Sequence, residues 1–284
     1  MIEAKIIADS VAPSNVRLTT FVLTYPRFIH SEFMTHRVFS RNASSSRAIP
    51  FTKQIEMIKE SMAKPLSYLA NQRGMQGGDE LSEDKQEIAN EVWERAAAEA
   101  IKAAEQLNNL GVHKQYVNRL IEPFSHITVV CTANDYDNFF GLRYHYMAQP
   151  EICQLAKLMY EAYIMSRPTI LEEGEWHLPF VSETEKEMES IEPRTGVPAL
   201  LRKSVARCAR VSYNNHDGTC TTLEQDTNLY NRLLGAQPIH ASPAEHQAMA
   251  VGDKNVRSGN LRGWIQYRKT LEGENIEKFE PGKL

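Results

Sequence analysis

Two runs of β-branched and aromatic residues set the strongest limit on what this chain can fold into. LTTFVLTYPRF, from Leu18 to Phe28, and ITVVCT, within His126–Thr132, suit strands, and Pro26 confines the first to a sheet edge or ends it. Between them, Ser82 is placed to cap a helix whose acidic first turn, Glu83 and Asp84, complements the positive end of the helix dipole. That helix is expected to run to about Leu110. Its alanine-rich interior sets Ile88, Val92, Ala96, Ile101 and Ala104 at near-helical spacing, and Gly111 is placed to end it. Gln149–Met165 reads as a second helix, because Ile152, Leu155, Ala156, Met159 and Tyr163 fall on one stripe. A third covers Thr222–Leu234. The charged stretch from Ser182 to Pro198, with Pro193, Gly196 and Pro198, reads as a linker or exposed loop. Alternating strand and helix signals make the fold class α/β or α+β.

A chain of 284 residues can bury a core in one large or two modest domains. The net charge of −4, from 32 basic and 36 acidic residues, argues against polymeric nucleic acid as a partner, since phosphate backbone needs a concentrated positive surface. Any anionic ligand must therefore be met locally. No stretch has the apolar length of a membrane span, and Met1–Lys5 lacks the pattern of a signal peptide, so the expectation is a cytoplasmic protein without a membrane partner. Cys131, Cys153, Cys208 and Cys220 have no CxxC spacing and read as small buried apolar residues.

The densest cluster of polar chemistry is THRVFSRNASSSR, from Thr35 to Arg47. Three arginines, one histidine, one asparagine and four serines in thirteen residues make a poor core but a good cradle for phosphate. Guanidinium groups supply forked, charge-assisted bonds, and hydroxyls and backbone N–H groups fill in around an oxyanion. On composition alone, a solvated polar loop fits equally well.

The spacing resembles the RHRxxSxNxxSxR signature of the flavin-dependent thymidylate synthase family, with His36, Arg37, Ser40, Asn42, Ser45 and Arg47 in register. Thr35 stands where the signature has its first Arg, Ala43 where a Glu usually follows the Asn, and Glu32 where Gln is common. NFFGLR (Asn138–Arg143) followed by AQPEI (Ala148–Ile152) is similar to the family's NFLxLR…AQxEI run. Arg119, four residues before Pro123, resembles the ARxxLP segment. By itself Arg143 would read as a surface arginine paired with Asp135 or Asp137. The resemblance implies instead that it binds the uracil ring and promotes its ionised form, since a fixed guanidinium stabilises an anion at N3.

In most members AARVSY and HxTPxEH precede the signature. Here Ala209–Tyr213 and HASPAEH (His240–His246) lie near the C-terminus, so the motif order is circularly rearranged. Chain ends of compact domains commonly lie close together, so such a rotation can leave a site intact. The parts expected are 1–181, carrying the signature and binding nucleotide and flavin; a linker-like 182–205; and 206–284, completing the same domain. HASPAEH also reads as a helix start, with Ser242 and Glu245 as a capping box.

The resemblance implies an α/β (α+β) fold with a mixed sheet and long helices, assembled as a homotetramer with shared sites. It implies methylation of dUMP to dTMP with FAD as cofactor and with NADPH and methylenetetrahydrofolate as co-substrates. His36, Arg37, Asn42, Asn134, Asn138, Ser212, His240, Ser242 and Glu245 are the flavin-binding candidates. Glu32, Ser45, Ser46, Arg47, Arg119 and Arg143 are the nucleotide-binding ones, with Arg143 also catalytic. A related pyrimidine nucleotide such as dCMP, or hydroxymethyl transfer, is the nearest alternative. More distant readings are a nucleotide- or RNA-binding module using Arg37, Arg41 and Arg47, and a synthase with Cys131 or Cys208 as nucleophile. A His240/Glu245/His246 metal site lacks the i, i+4 pairing of HExxH, so no metal is expected.

Overall fold

The computed structural model describes residues 1–191, 196–211, 219–236 and 238–275. Ser212, one of the flavin-binding candidates, lies outside the described residues. In chain order the strands are β1 (Glu3–Val11), β2 (Arg17–Pro26), β3 (Ser40–Ala43), β4 (His126–Ala133), β5 (Thr169–Ile170), β6 (Trp176–His177), β7 (Ala248–Ala250), β8 (Arg257–Ser258), β9 (Leu261–Arg262) and β10 (Trp264–Gln266). The helices are α1 (His30–Met34), α2 (Phe51–Glu60), α3 (Glu83–Asn109), α4 (Lys114–Val117), α5 (Asp137–Arg143), α6 (Pro150–Met165), α7 (Glu183–Ile191), α8 (Gly196–Arg210) and α9 (Leu223–Leu234).

The two β-rich runs become β2 and β4, paired antiparallel in register from Thr19↔Ala133 to Pro26↔His126 at the centre of a five-stranded sheet. The order is β3-β4-β2-β1-β5, antiparallel except for the parallel contact of β5 with β1, so the sheet is mixed. Pro26 ends its strand. Side chains alternate along a strand, so each run feeds both faces of the sheet. Phe21, Leu23 and Tyr25 of β2 join Ile127, Val129 and Cys131 of β4 under α1, α5 and α6. On the opposite face Val130 packs with Phe180, Cys208 and Val211. No described helix is long and apolar enough to cross a membrane.

The helix at Glu83–Asn109 forms, and Gly111 turns left-handed after it at φ +80°, a conformation that carries no Cβ penalty in glycine. Ser82 occupies the N-cap position without a side-chain bond. The buried stripe differs from the expected one. Ile88 and Val92 are exposed, while Ala97 and Ala104 are buried against Ile58, Val117 and Ile121. Regular spacing fixes which residues share a helix face, but how far the neighbouring elements reach decides how much of that face is covered. Gln149 is the N-cap of α6, Pro150 sits in its first turn, and Ile152, Leu155, Ala156 and Met159 are buried as the stripe requires. Thr222 and Gln225 form a capping box on α9.

The 182–205 stretch, read as a linker, carries α7 and the first part of α8. Ser182 and Glu185 cap α7 reciprocally: Glu185 N–H donates to Ser182 Oγ at 3.2 Å and Ser182 N–H to Glu185 Oε2 at 3.0 Å. Pro198 falls in the first turn of α8, where its missing N–H costs no helical hydrogen bond. Charge in this segment serves packing. The buried Arg207 guanidinium donates to Glu185 at 2.8 and 2.9 Å, to Asp226 at 3.1 Å and to the Phe180 carbonyl at 2.6 Å, which ties α7, α8 and α9 together. Its positive charge is a main reason the Glu185 carboxyl is lowered to about 2, overcoming the opposing effect of burial.

A second polar feature crosses the sheet on the α8 side. Ser10 Oγ meets His177 Nδ1 at 2.9 Å and His177 Nε2 meets Thr20 Oγ1 at 2.8 Å. Thr20 Oγ1 then meets Thr132 Oγ1 at 2.7 Å, and Thr132 Oγ1 meets His246 Nδ1 at 2.8 Å. All five side chains are buried. Burial holds both imidazoles down to about 3, so they are neutral. Of the cysteines, Cys131 and Cys208 are buried, Cys153 is half-buried and Cys220 is exposed.

Candidate functional site

The signature splits where its chain enters β3. Arg41 is opposite Cys131, and its guanidinium folds back onto the carbonyls of Met34 (2.8 Å), His36 (3.3 Å) and Phe33 (3.5 Å), satisfying the C-terminal carbonyls of α1. Arg41 is therefore structural. Ser40 and Asn42 project to the other face, where Ser40 Oγ donates to Asn260 Oδ1 at 3.1 Å and Asn42 Nδ2 to the Cys208 carbonyl at 3.4 Å. One short strand thus serves two layers.

At the α1 end, Arg143 meets the signature. Its Nε donates to His36 Nε2 at 3.0 Å, and Nη2 reaches Thr35 Oγ1 at 3.4 Å. Thr35 Oγ1 in turn donates to the Glu32 carbonyl at 2.7 Å. His36 stacks on Phe39 and meets Phe139 edge-on. Burial first, and then the charges of Arg143 and Arg41, lower His36 to about 4. The ring is neutral at physiological pH, with Nε2 as acceptor and the proton on Nδ1. Arg143 is held by its Nε and stays half-buried, which leaves most of its forked N–H edge for a ligand. The expected alternative pairing with Asp135 or Asp137 is not made among the described residues. Around it, Leu142, Tyr144, Tyr146 and Met147 are exposed.

The serines separate in function. Ser44 extends the β4 ladder, its N–H donating to the Thr128 carbonyl at 2.8 Å and its Oγ accepting from Thr128 N–H at 3.1 Å. Ser46 is buried and donates to Glu122. Glu122 also takes Arg119 at 3.0 Å and lies 3.7 Å from Arg27. Ser46 and Arg119 thus already have a protein partner, while Ser45 and Arg47 face solvent. Arg37 is exposed too, and among the described residues neither it nor Arg47 makes a hydrogen bond or ion pair.

The displaced HASPAEH segment returns to the signature strand. Residues Ser242–Glu245 form a 3₁₀ turn against β3, and Gln266 Nε2 bridges Ser40 Oγ (3.4 Å), Asn260 Oδ1 (2.8 Å) and the Glu245 carbonyl (3.1 Å). The expected capping box is not formed: Ala241 is the N-cap and no side chain caps the turn. Glu245 is paired with Arg268 instead. His240 and Ser242 are exposed, as is Asn138 on α5, while Asn134 Nδ2 donates to the Arg262 carbonyl at 3.0 Å. Before the 212–218 segment, Val211 adopts φ +61°. That is a strained conformation for a β-branched residue, and strain of this kind collects at functional sites.

A cleft of about 890 Å³ opens between the signature and the C-terminal helices, lined by Ser44, Ser45 and Thr128 on one wall and Arg210, Asn228 and Arg232 on the other. Its α9 wall belongs to none of the sequence motifs. Gln225, Asn228, Leu229 and Arg232 all line it and recur at helical spacing, a signal present in the sequence but attached to no motif.

A mixed sheet with flanking helices makes this an α/β protein, and the signature segment presents the exposed guanidinium groups of Arg37 and Arg47. The model of the thymidylate synthase complementing protein family matches residues 13–169, more than half of the chain. The chain belongs to this family, the flavin-dependent one whose signature it carries. Two solved structures of the UMP/dUMP methylase PolB from Streptomyces cacaoi are similar to it. The one bound with 5-Br UMP has 17% identity and a TM-score of 0.47, covering 57% of this chain and 88% of that chain. The one bound with 5-Br dUMP has 17% identity and a TM-score of 0.46, covering 57% and 90%. No curated protein sequence matches.

Proposed function

We propose that this protein methylates dUMP to dTMP, using methylenetetrahydrofolate as carbon donor, FAD as redox cofactor and NADPH as reductant. The observation that carries the reading is the bond from Arg143 Nε to His36 Nε2, which joins the signature and the NFFGLR block across 107 residues of sequence. A neutral imidazole acceptor locks the guanidinium without neutralising it. The remaining N–H groups are then free to hold the uracil carbonyls and to stabilise charge that grows at N3 as the ring is activated.

The residues present fit FAD. Arg37 offers an exposed guanidinium without a partner among the described residues, and Asn138, His240 and Ser242 are likewise exposed, a donor set suited to a diphosphate and a polar ring edge. When bound, FAD supplies the hydride chemistry. Ser45 and Arg47 hold the nucleotide phosphate, with Arg119 joining them by leaving Glu122. Glu32, on α1 next to Thr35 at the Arg143 end of the signature, is a further nucleotide contact in this reading. A homotetramer with shared sites is the assembly expected, and the exposed apolar side chains beside Arg143 are suited to cover by a second subunit.

Mass spectrometry of the product formed from dUMP, methylenetetrahydrofolate and NADPH tests the reading. dTMP is expected, whereas methylation or hydroxymethylation of dCMP in its place overturns the substrate assignment. FAD should copurify with the protein. Arg37→Ala is expected to lower flavin retention by about tenfold or more, since losing a charge-assisted partner of an anion costs on the order of 1.5–3 kcal/mol. Absorbance of the purified variant at flavin wavelengths measures it, and unchanged occupancy removes Arg37 from the flavin site.

A further inference from the structure

Beneath α2 lies a second, smaller cavity of about 230 Å³, lined by Met57, Ile58 and Glu60 of the helix, by Met1 and Glu3 at the start of the chain, and by Thr24, Ser61, Ser125 and His126. Gln54 also lines it. This glutamine is on the inner face of α2 with Phe51, Ile55 and Ile58 and is fully buried. Among the described residues neither its Oε1 nor its Nε2 has a hydrogen-bond partner.

A carboxamide buried in this way opposes folding, because both its donor and its acceptor have lost water. Leucine or methionine would fill the position on α2 without that penalty, and buried polar side chains are almost always paired. The unpaired amide therefore points to a ligand. Its edge presents a donor beside an acceptor, the pattern by which glutamine and asparagine read the edge of adenine. Met57 and Ile58 supply apolar walls, and a thioether packs well against an aromatic ring. The volume is sufficient, since an apolar cavity of roughly 150 Å³ already admits benzene.

The cavity adjoins the larger cleft. Met57 lines both, and Thr24, on one side, is the cross-strand partner of Thr128, on the other. We propose that the Gln54 cavity binds a planar heterocycle carrying a donor beside an acceptor on one edge, the nucleobase class, at a site separate from Arg143. Gln54 reads the edge, and Met57 and Ile58 flank the ring.

Calorimetric titration of the full chain with adenine and with hypoxanthine, bases that are not the pyrimidine assigned to Arg143, tests this, with indole as a ring of similar size lacking the paired edge. At least one base is expected to bind and to raise the melting temperature. Gln54→Leu is expected to fold at least as stably as the native chain and to bind that base at least tenfold more weakly. Gln54→Met serves the same comparison if the leucine variant does not fold. Met57→Trp, which fills the cavity, is expected to abolish binding, and Arg143→Ala to leave it unchanged. The proposal is overturned if neither base binds, if Gln54→Leu and Gln54→Met bind as well as the native chain, if indole binds equally well, or if binding disappears with Arg143→Ala.

Discussion

Replacing Arg143 with alanine is expected to lower dTMP formation at saturating dUMP by on the order of 10²–10³-fold, the usual effect of removing a donor aimed at developing charge. Affinity for dUMP should fall less, because the lost interaction strengthens as the ring is activated. Arg143→Lys should be nearly as damaging. In the native site Arg143 Nε is already bonded to His36 and Nη2 reaches Thr35, while most of the fork stays available. An ammonium ion has no second, rigidly linked donor edge with which to do both. NADPH oxidation should persist in either variant, since Arg143 is assigned to the pyrimidine and not to the reductant. The check is a paired assay of NADPH oxidation and dTMP formation. Near-native dTMP formation by Arg143→Lys would show that a positive charge alone suffices and that the fork has no part in the reaction.

Stability is expected to collapse on mild acidification. His177 and His246 have ordinary values near 6.5 that burial lowers to about 3, with the Asp9 charge partly opposing this for His177. Between these limits the unfolded chain binds two protons that the native chain does not, so stability rises with pH. It is complete above about pH 6.5 and is lost as pH falls toward 3. Two protons correspond to a slope of roughly 2.7 kcal/mol per pH unit. Across two units that is comparable to the whole stability of a typical domain, about 5–15 kcal/mol. His36, lowered to about 4, acts in the same direction, and Glu185 adds to the loss below about pH 4.5. Urea midpoints measured from pH 7.5 to 4.5 should fall steeply, with the His177 and His246 resonances untitrated while the protein stays folded. A flat midpoint down to pH 5 would refute the linkage.

The candidate site was legible where a motif keeps its residues together. The signature placed His36, Arg37, Ser45 and Arg47 on one segment, and register within the motif required no knowledge of the fold. It did not reveal which serine is available. Ser45 and Ser46 are neighbours with the same chemistry, yet Ser46 is turned inward onto Glu122, a residue brought there by the turn before β4. Arg41 was equally ambiguous, because a guanidinium that caps α1 and one that binds phosphate look alike in sequence. The Gln54 cavity was invisible for the same reason, since a glutamine on a short helix gives no sign of being buried until the sheet beneath it is in place.

The sequence by itself determined the central strands, the long helices and the family. These depend on local patterning and motif spacing, properties of neighbouring residues that survive any rearrangement of the chain. Tertiary structure alone decided that the C-terminal HASPAEH segment packs against β3, that the charged stretch after Ser182 forms α7, tied to α8 through Glu185 and Arg207, and that Arg143 rests on His36. Each of these joins elements distant in sequence, and each is favoured because folding buries polar groups that must then find partners wherever the packed chain brings them.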